Sequence, residues 1–266
     1  MDYTKIKVAD DGPVTVITLA DPATMNAASV EMATELTDAF RRVDATESIR
    51  AVVLTGEGRG FCSGANLSGG GAGGGGLGAD GRPDAGSSLE TVYNPLVTHI
   101  RGLGTPLVVA VNGAAAGVGC SLAMLGDLIV ASQSAYFLQA FRRIGLIPDG
   151  GSTYMLPRII GKARAMEMAL LGERLPAAQA LEWGLINRCV PDAELMPTAM
   201  ALAGQLASGP ASLGLTRQTI WAGLESDWTD QLAREAKGQT LAGRTEDFRE
   251  GVTAFLQKRP AAFKGR

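Results

Sequence analysis

The chain carries one histidine, His99, and three cysteines, Cys62, Cys120 and Cys189, in 266 residues. The cysteines are odd in number, far apart and set among apolar residues. Neither a disulfide framework nor a metal site is expected from them, and they suit a reducing, cytoplasmic setting. A surplus of one charge is also missing. The 24 Lys and Arg against 27 Asp and Glu give a formal net charge of −3, without the basic footprint that nucleic acid demands. No apolar run reaches about 18 residues, and the N-terminus lacks a basic region followed by an apolar core. No membrane partner and no secretory leader are therefore expected.

What the chain has in abundance is glycine, 35 in all, with nine of the thirteen residues from Gly69 to Gly81. Around that loop the apolar residues form a regular order. Thr15 to Ala20 is short, β-branched and bounded by Gly12-Pro13 and Asp21-Pro22, which predicts a strand. Ser29 is placed as an N-cap, with Ala33, Leu36, Phe40 and Val43 at helical spacing behind it. Arg50 to Gly56, Pro106 to Gly113 and Leu128 to Ser132 read as further strands, the first a continuous apolar run of the kind buried on both faces. Ser88 to Arg101 and the small-residue stretch from Gly117 read as helices. This alternation predicts an α/β core with parallel pairing. Residues 192–258 show helical spacing with breaks near Pro210, Gly223 and Gly243, so the expected division is a core over 1–195 and a helical region over 196–266 that packs on the core or serves an oligomer interface.

Several familiar chemistries fail in detail. Gly161-Lys162 has Leu156 where a phosphate loop needs its first glycine and Ala163 where it needs Ser or Thr. Gly117 and Gly119 begin a dinucleotide fingerprint, but Leu122 occupies the third glycine position. Ser121 sits among small residues like a nucleophile at a sharp turn, yet His99 lies upstream of it, the reverse of the order that fold requires. Asp127 and Asp149 are candidate paired acids by position, although Asp127 directly precedes an apolar strand and could simply anchor it. Asp149, in "GLIPDGG", could equally be a turn residue beside Pro148.

Four segments, "RAVVLTGEGRGFCSGANL", "PLVVAVNGAAAGVGCSLAMLGDLIVAS", "FRRIGLIPDGGSTYMLPRIIGKARAMEMALLGERLPAAQALEWGLINRCV" and "AFLQKRPAAFKGR", together resemble the crotonase (enoyl-CoA hydratase/isomerase) superfamily, in its order and over nearly the whole chain. The resemblance implies a spiral of ββα units with a helical C-terminal region, assembly as a homotrimer or hexamer, and an acyl-CoA thioester as substrate. CoA would be part of that substrate, with no separate cofactor. It implies an oxyanion hole of two backbone N–H groups, which by motif position fall on Ala65 and Val118. It also implies CoA contacts at Ser63, Ala65, Asn66, Leu67 and Ser68, with Phe263 and Lys264 reaching a neighbouring subunit's nucleotide.

The departures are as informative. Hydratases of the family use two glutamates to activate water, and this chain has Ser121 and Phe141 at those positions. Asp149 is the acid that remains, in a motif similar to that of the branch containing Δ3,Δ2-enoyl-CoA isomerases and the epoxyphenylacetyl-CoA isomerase. The expectation is an enoyl-CoA isomerase using Asp149, in a pocket where Phe141, Ile144, Leu146 and Tyr154 raise its pKa. The alternatives are a hydratase or other reaction of this superfamily, or an acyl-CoA binder without chemistry. Met25 replaces the basic residue frequent before the "NA" motif, and Asn66 replaces an aspartate.

Overall fold

The computed structural model describes residues 2–66, 76–82 and 84–266. In chain order, β1 (Ile6–Asp11) and β2 (Val14–Leu19) precede α1 (Val30–Ala45), β3 (Ala51–Gly56) and β4 (Gly60–Cys62). A π-helical turn, Leu89–Tyr93, runs into α2 (Asn94–Gly102), and then come β5 (Leu107–Val111), β6 (Ala114–Ala116), α3 (Val118–Ala123), β7 (Leu128–Ser132) and β8 (Tyr136–Leu138). The rest is α4 (Ser152–Ile159), α5 (Gly161–Leu171), β9 (Leu175–Pro176), α6 (Ala177–Glu182), β10 (Arg188–Val190), α7 (Leu195–Ala207), α8 (Ser212–Gly223), α9 (Trp228–Ala242) and α10 (Glu246–Gln257).

Among the described residues the strands form two sheets, ordered β1-β2-β3-β5-β7-β10 and β4-β6-β8-β9. Pairing is parallel from β2 to β10 and from β4 to β8, with antiparallel strands β1 and β9 at the edges. From β3 to β8 each turn of the chain lays one strand in the first sheet and the next in the second, then crosses back. That repetition is the spiral expected from the resemblance.

The continuous apolar runs have a direct cause. In β3, Val52 and Leu54 point into the main core, against α1 and the second sheet, whereas Ala51 and Val53 point to the opposite face. On that face Leu195, Ala199, Leu202 and Ala203 of α7 cover the sheet. A strand buried on both sides cannot alternate with polar residues.

Ser29 caps α1 as expected, its hydroxyl accepting the Met32 N–H at 3.1 Å. Strand β1, in which only Ile6 is buried and Val8 partly so, lies outside the strands expected from the sequence. It is an edge strand with mostly exposed side chains, fastened by Glu35 of α1, whose carboxylate accepts the N–H groups of Thr4, Lys5 and Ile6 at 2.8, 2.8 and 3.1 Å. The expected strand from Pro106 to Gly113 ends at Val111, and Ala114–Ala116 turns into the second sheet. Between residues 195 and 257 the chain is helical, with breaks where Pro210, Gly223 and Gly243 suggested them.

Candidate active site

The second sheet is narrow because its strands are only two or three residues long. The chain therefore leaves each strand quickly, and the turns after β4, β6 and β8 meet around a cavity of ≈ 420 Å³. Ser63, Gly64 and Ala65 line it from the first turn, Gly117 and Val118 from the second, and Ala140 and Phe141 from the third.

The first two turns pack back to back. Gly117 has φ 53°, a conformation that favours glycine, and a Cβ added there would lie 3.6 Å from Gly64 Cα and 3.7 Å from the Phe141 ring. Ala65 forms a parallel bridge with Ala28. Gly64 O accepts from Ala28 N at 2.7 Å and Asn66 N donates to Ala28 O at 3.1 Å. Backbone groups alternate in direction along such a segment, so the Ala65 N–H points away from Ala28. Val118 is the first residue of α3, where an N–H has no partner inside the helix. Two amides, from Ala65 and Val118, that have no partner among the described residues thus border one cavity.

Asp149 enters from the far side, after the 3-10 turn Ala140–Ile144. It is half-buried, and among the described residues its Oδ1 has no hydrogen-bond partner. Burial pushes its carboxyl up from an ordinary 3.8 to about 6. It is the only carboxylate lining the cavity among the described residues. Phe141, Ile144 and Leu146, expected around it, line the cavity with it. Its backbone is held tightly: the carbonyl oxygen accepts from Ser121 Oγ at 2.8 Å, Ser152 Oγ at 2.9 Å and Ser152 N at 3.1 Å. Gly150 follows with φ +58°, and a Cβ there would lie 2.8 Å from Ser121 Cβ.

Tyr154 does not join this group. Its hydroxyl donates to Leu224 O at 3.0 Å and Arg158 stacks on its ring at 3.6 Å, because the helical run of α4 carries it past the cavity. Phe263 and Lys264 also lie elsewhere within the chain. Phe263 borders a groove between α9 and α10, and Lys264 N donates to Asp247 Oδ1 at 2.6 Å. Ser63 lines the cavity, its hydroxyl donating to Thr24 O at 2.9 Å. Leu67 and Ser68 lie outside the described residues.

Asp127 is not a partner for Asp149. It accepts from Leu107 N at 2.7 Å, Arg217 Nε at 2.7 Å and Trp221 Nε1 at 3.2 Å, so the anchoring role is the one it fills. Sequence reasoning missed Leu89, Tyr93, Arg143 and Ile147, which also line the cavity. The spacing of Leu89 and Tyr93, four apart on one helical face, was the signal available. Tyr93 donates to Ala28 O at 2.7 Å, and its hydroxyl is pushed up to about 12 by burial, with the charges of Cys62 and Asp149 adding. The cysteines are unpaired, and no cluster of metal-binding side chains exists among the described residues. Among them, too, no helix is long and apolar enough to cross a membrane.

An apolar cavity with two free amides and one raised carboxyl suits chemistry on a carbonyl compound. The sequence model of the enoyl-CoA hydratase/isomerase family matches residues 10–266. The chain belongs to this family. It is 45% identical over 255 residues to 1,2-epoxyphenylacetyl-CoA isomerase of Escherichia coli K12, covering 95% of both chains. It is also 45% identical to a protein of Rhodobacter capsulatus named probable enoyl-CoA hydratase, covering 100% of both. The crystal structure of an enoyl-CoA hydratase from Polaromonas sp. JS666 matches with a TM-score of 0.87 at 30% identity, over 97% of this chain and 99% of that one. The fold is thus that of the crotonase superfamily, and the chain is an enzyme of a family that acts on acyl-CoA thioesters.

Proposed function

We propose that this enzyme moves a carbon–carbon double bond in an acyl-CoA thioester, from the 3-enoyl to the 2-enoyl position, with Asp149 as the proton carrier. The observation that carries the reading is the Asp149 carboxyl, half-buried, unpartnered at Oδ1 and raised to about 6. A base of that pKa is ionised at neutral pH yet holds a proton firmly enough to deliver it. The thioester oxygen would lie between the N–H groups of Ala65 and Val118. Asp149 would take a proton from C2, the electron pair moving to that oxygen to form a dienolate, and return the proton at C4 as the pair moves back. The dienolate is the costly species, and each fixed donor aimed at its oxygen contributes about 3 kcal/mol. No water enters the balance.

The residues at the two glutamate positions favour the same reading. Phe141 has no acid–base group, and the Ser121 hydroxyl is already engaged with the Asp149 carbonyl. Ser63, Asn66, Leu67 and Ser68 are read as the CoA cradle. Phe263 and Lys264 are read as contacts to the nucleotide of a neighbouring subunit in a trimer or hexamer. Exposed apolar side chains such as Trp228, Phe248 and Phe255 in residues 196–266 support such an assembly. A cytoplasmic site and a part in fatty- or aromatic-acid breakdown complete the reading, with no cofactor besides the CoA of the substrate.

A second reading, hydration of a 2-enoyl-CoA, is favoured by the hydratase name of the Rhodobacter capsulatus relative. One comparison separates the two. Wild type and Asp149→Asn are incubated with 3-hexenoyl-CoA and with 2-hexenoyl-CoA, following double-bond position, water addition and CoA-ester binding. Isomerisation that falls about 10³-fold in the variant, with binding kept, is expected. Hydration that survives the substitution would overturn the scheme, and binding without turnover of either ester would mark a binder.

A further inference from the structure

Ser121 is fully buried in α3, three residues beyond Val118. Its hydroxyl does not face the cavity as a reactant. It crosses to the Asp149 carbonyl at 2.8 Å, and its only other partner among the described residues, Gly117 O just before the helix, is distant at 3.5 Å. The next residue of the Asp149 loop, Gly150, lies so close that a Cβ would come within 2.8 Å of Ser121 Cβ. Of the three donors to that carbonyl, the Ser152 hydroxyl and amide are local, three residues along the same chain segment. Ser121 alone among them comes from another element, 28 residues away in sequence.

That element is also the one that supplies the Val118 amide. We propose that Ser121 is a positioning residue: its hydroxyl locks the loop bearing Asp149 to the helix bearing the Val118 donor, so that base and oxyanion donor are held as one rigid unit. The inference rests on the isomerase reading given above. Moving a proton between C2 and C4 on a held dienolate requires the carboxylate to keep a fixed distance from both carbons while the oxygen stays seated. A displacement of about 1 Å is enough to cost a reaction up to about 100-fold. A serine is the right tool because its one proton satisfies a carbonyl without placing a charge beside the base.

The test uses the full-length protein and 3-hexenoyl-CoA as probe, with Ser121→Ala, Ser121→Cys and Asp149→Asn side by side and thermal unfolding recorded for each. The thiol nearly matches the hydroxyl in shape but is a poor donor, so it separates the hydrogen bond from simple filling of space. Ser121→Ala and Ser121→Cys are both expected to lower kcat about 10- to 100-fold while KM stays within about threefold. If either folded variant keeps kcat within about threefold of wild type, the proposal is wrong. Should Ser121→Ala fail to fold, Ser121→Cys decides alone, and should neither fold, the serine is a packing residue and the proposal falls. Wild-type turnover by Asp149→Asn would instead bring down the isomerase reading itself. An inactive Asp149→Asn beside fully active Ser121 variants would sink only the role of Ser121.

Discussion

Arg217 Nε lies 2.7 Å from Asp127 Oδ2, and the remaining guanidinium N–H groups reach the carbonyls of Ile100, Arg101 and Leu103 at 2.7–2.9 Å. Arg217 thereby joins α8 to the end of α2 and to the mouth of β7. The arginine side chain is 3% exposed, its partner 21%. Removing one member of such a pair leaves a buried charge uncompensated. Arg217→Ala should therefore cost about 3–5 kcal/mol of stability, read from the urea midpoint. Turnover per folded molecule should hold, because the pair lies outside the cavity.

On the proposed mechanism, the Asp149 carboxyl should link activity and stability to pH in opposite directions. A base with a pKa of about 6 must be ionised to work, so kcat/KM should rise with pH along a single acid limb centred near 6 and flatten above it. Stability behaves the other way. A carboxyl whose pKa is raised by folding favours the fold fully below its ordinary value of 3.8, and that contribution is lost as pH climbs through about 6. The full shift would correspond to about 3 kcal/mol, which solvent around this half-buried group reduces to about 1–2 kcal/mol. Asp149→Asn should accordingly be more stable than wild type by that amount at pH 8 and converge with it below the ordinary value of 3.8, measured by denaturant titration.

Gly150 meets two constraints at once, a φ of +58° and the 2.8 Å approach to Ser121. An alanine there would carry the cost of a left-handed conformation, about 1–2 kcal/mol, and of overpacking, about 1–3 kcal/mol. Gly150→Ala is expected to destabilise by about 2–5 kcal/mol and to lower kcat more than it raises KM, as steady-state kinetics on 3-hexenoyl-CoA would record.

Asp247, in the first turn of α10, accepts the N–H groups of Ala211, Lys264 and Gly265 at 2.8, 2.6 and 2.8 Å. Burial alone would raise its carboxyl, but these three bonds outweigh it and hold the pKa below the ordinary range. The support it gives is present above about pH 4 and fades as acid is added. Asp247→Ala should release the C-terminal segment. Amide exchange over residues 262–266 is expected to speed up at least tenfold at pH 7, with about 1–3 kcal/mol of stability lost.

Much of this was legible in the sequence, and the limits have physical causes. Strands such as Ala51–Gly56 and Leu128–Ser132 announce themselves because both faces are buried and nearly every position is apolar, with Thr55 and Ser132 the polar residues. Strand β1 stayed silent, since an edge strand with solvent on its side chains needs no pattern and is held by Glu35 from a distant helix. The three-residue strands of the second sheet are too short to carry a period. At the site, motif position brought Ala65, Val118, Phe141 and Asp149 to one cavity, but not Tyr154, five residues past Asp149, whose hydroxyl on α4 reaches Leu224 O instead. Ser121 had suggested a nucleophile or a lost acid. Its engagement with a backbone carbonyl depends on a contact 28 residues away, which local sequence does not encode.

The parallel pairing of β4 with β6 acts as a ruler. It holds the two strands about 4.8 Å apart, and the turns that leave them carry the Ala65 and Val118 backbones to one cavity. That part of the cavity wall is backbone, so a substitution among the side chains that complete it, such as Phe141 or Leu89, would alter the shape of the space while leaving the two amides where the strands put them.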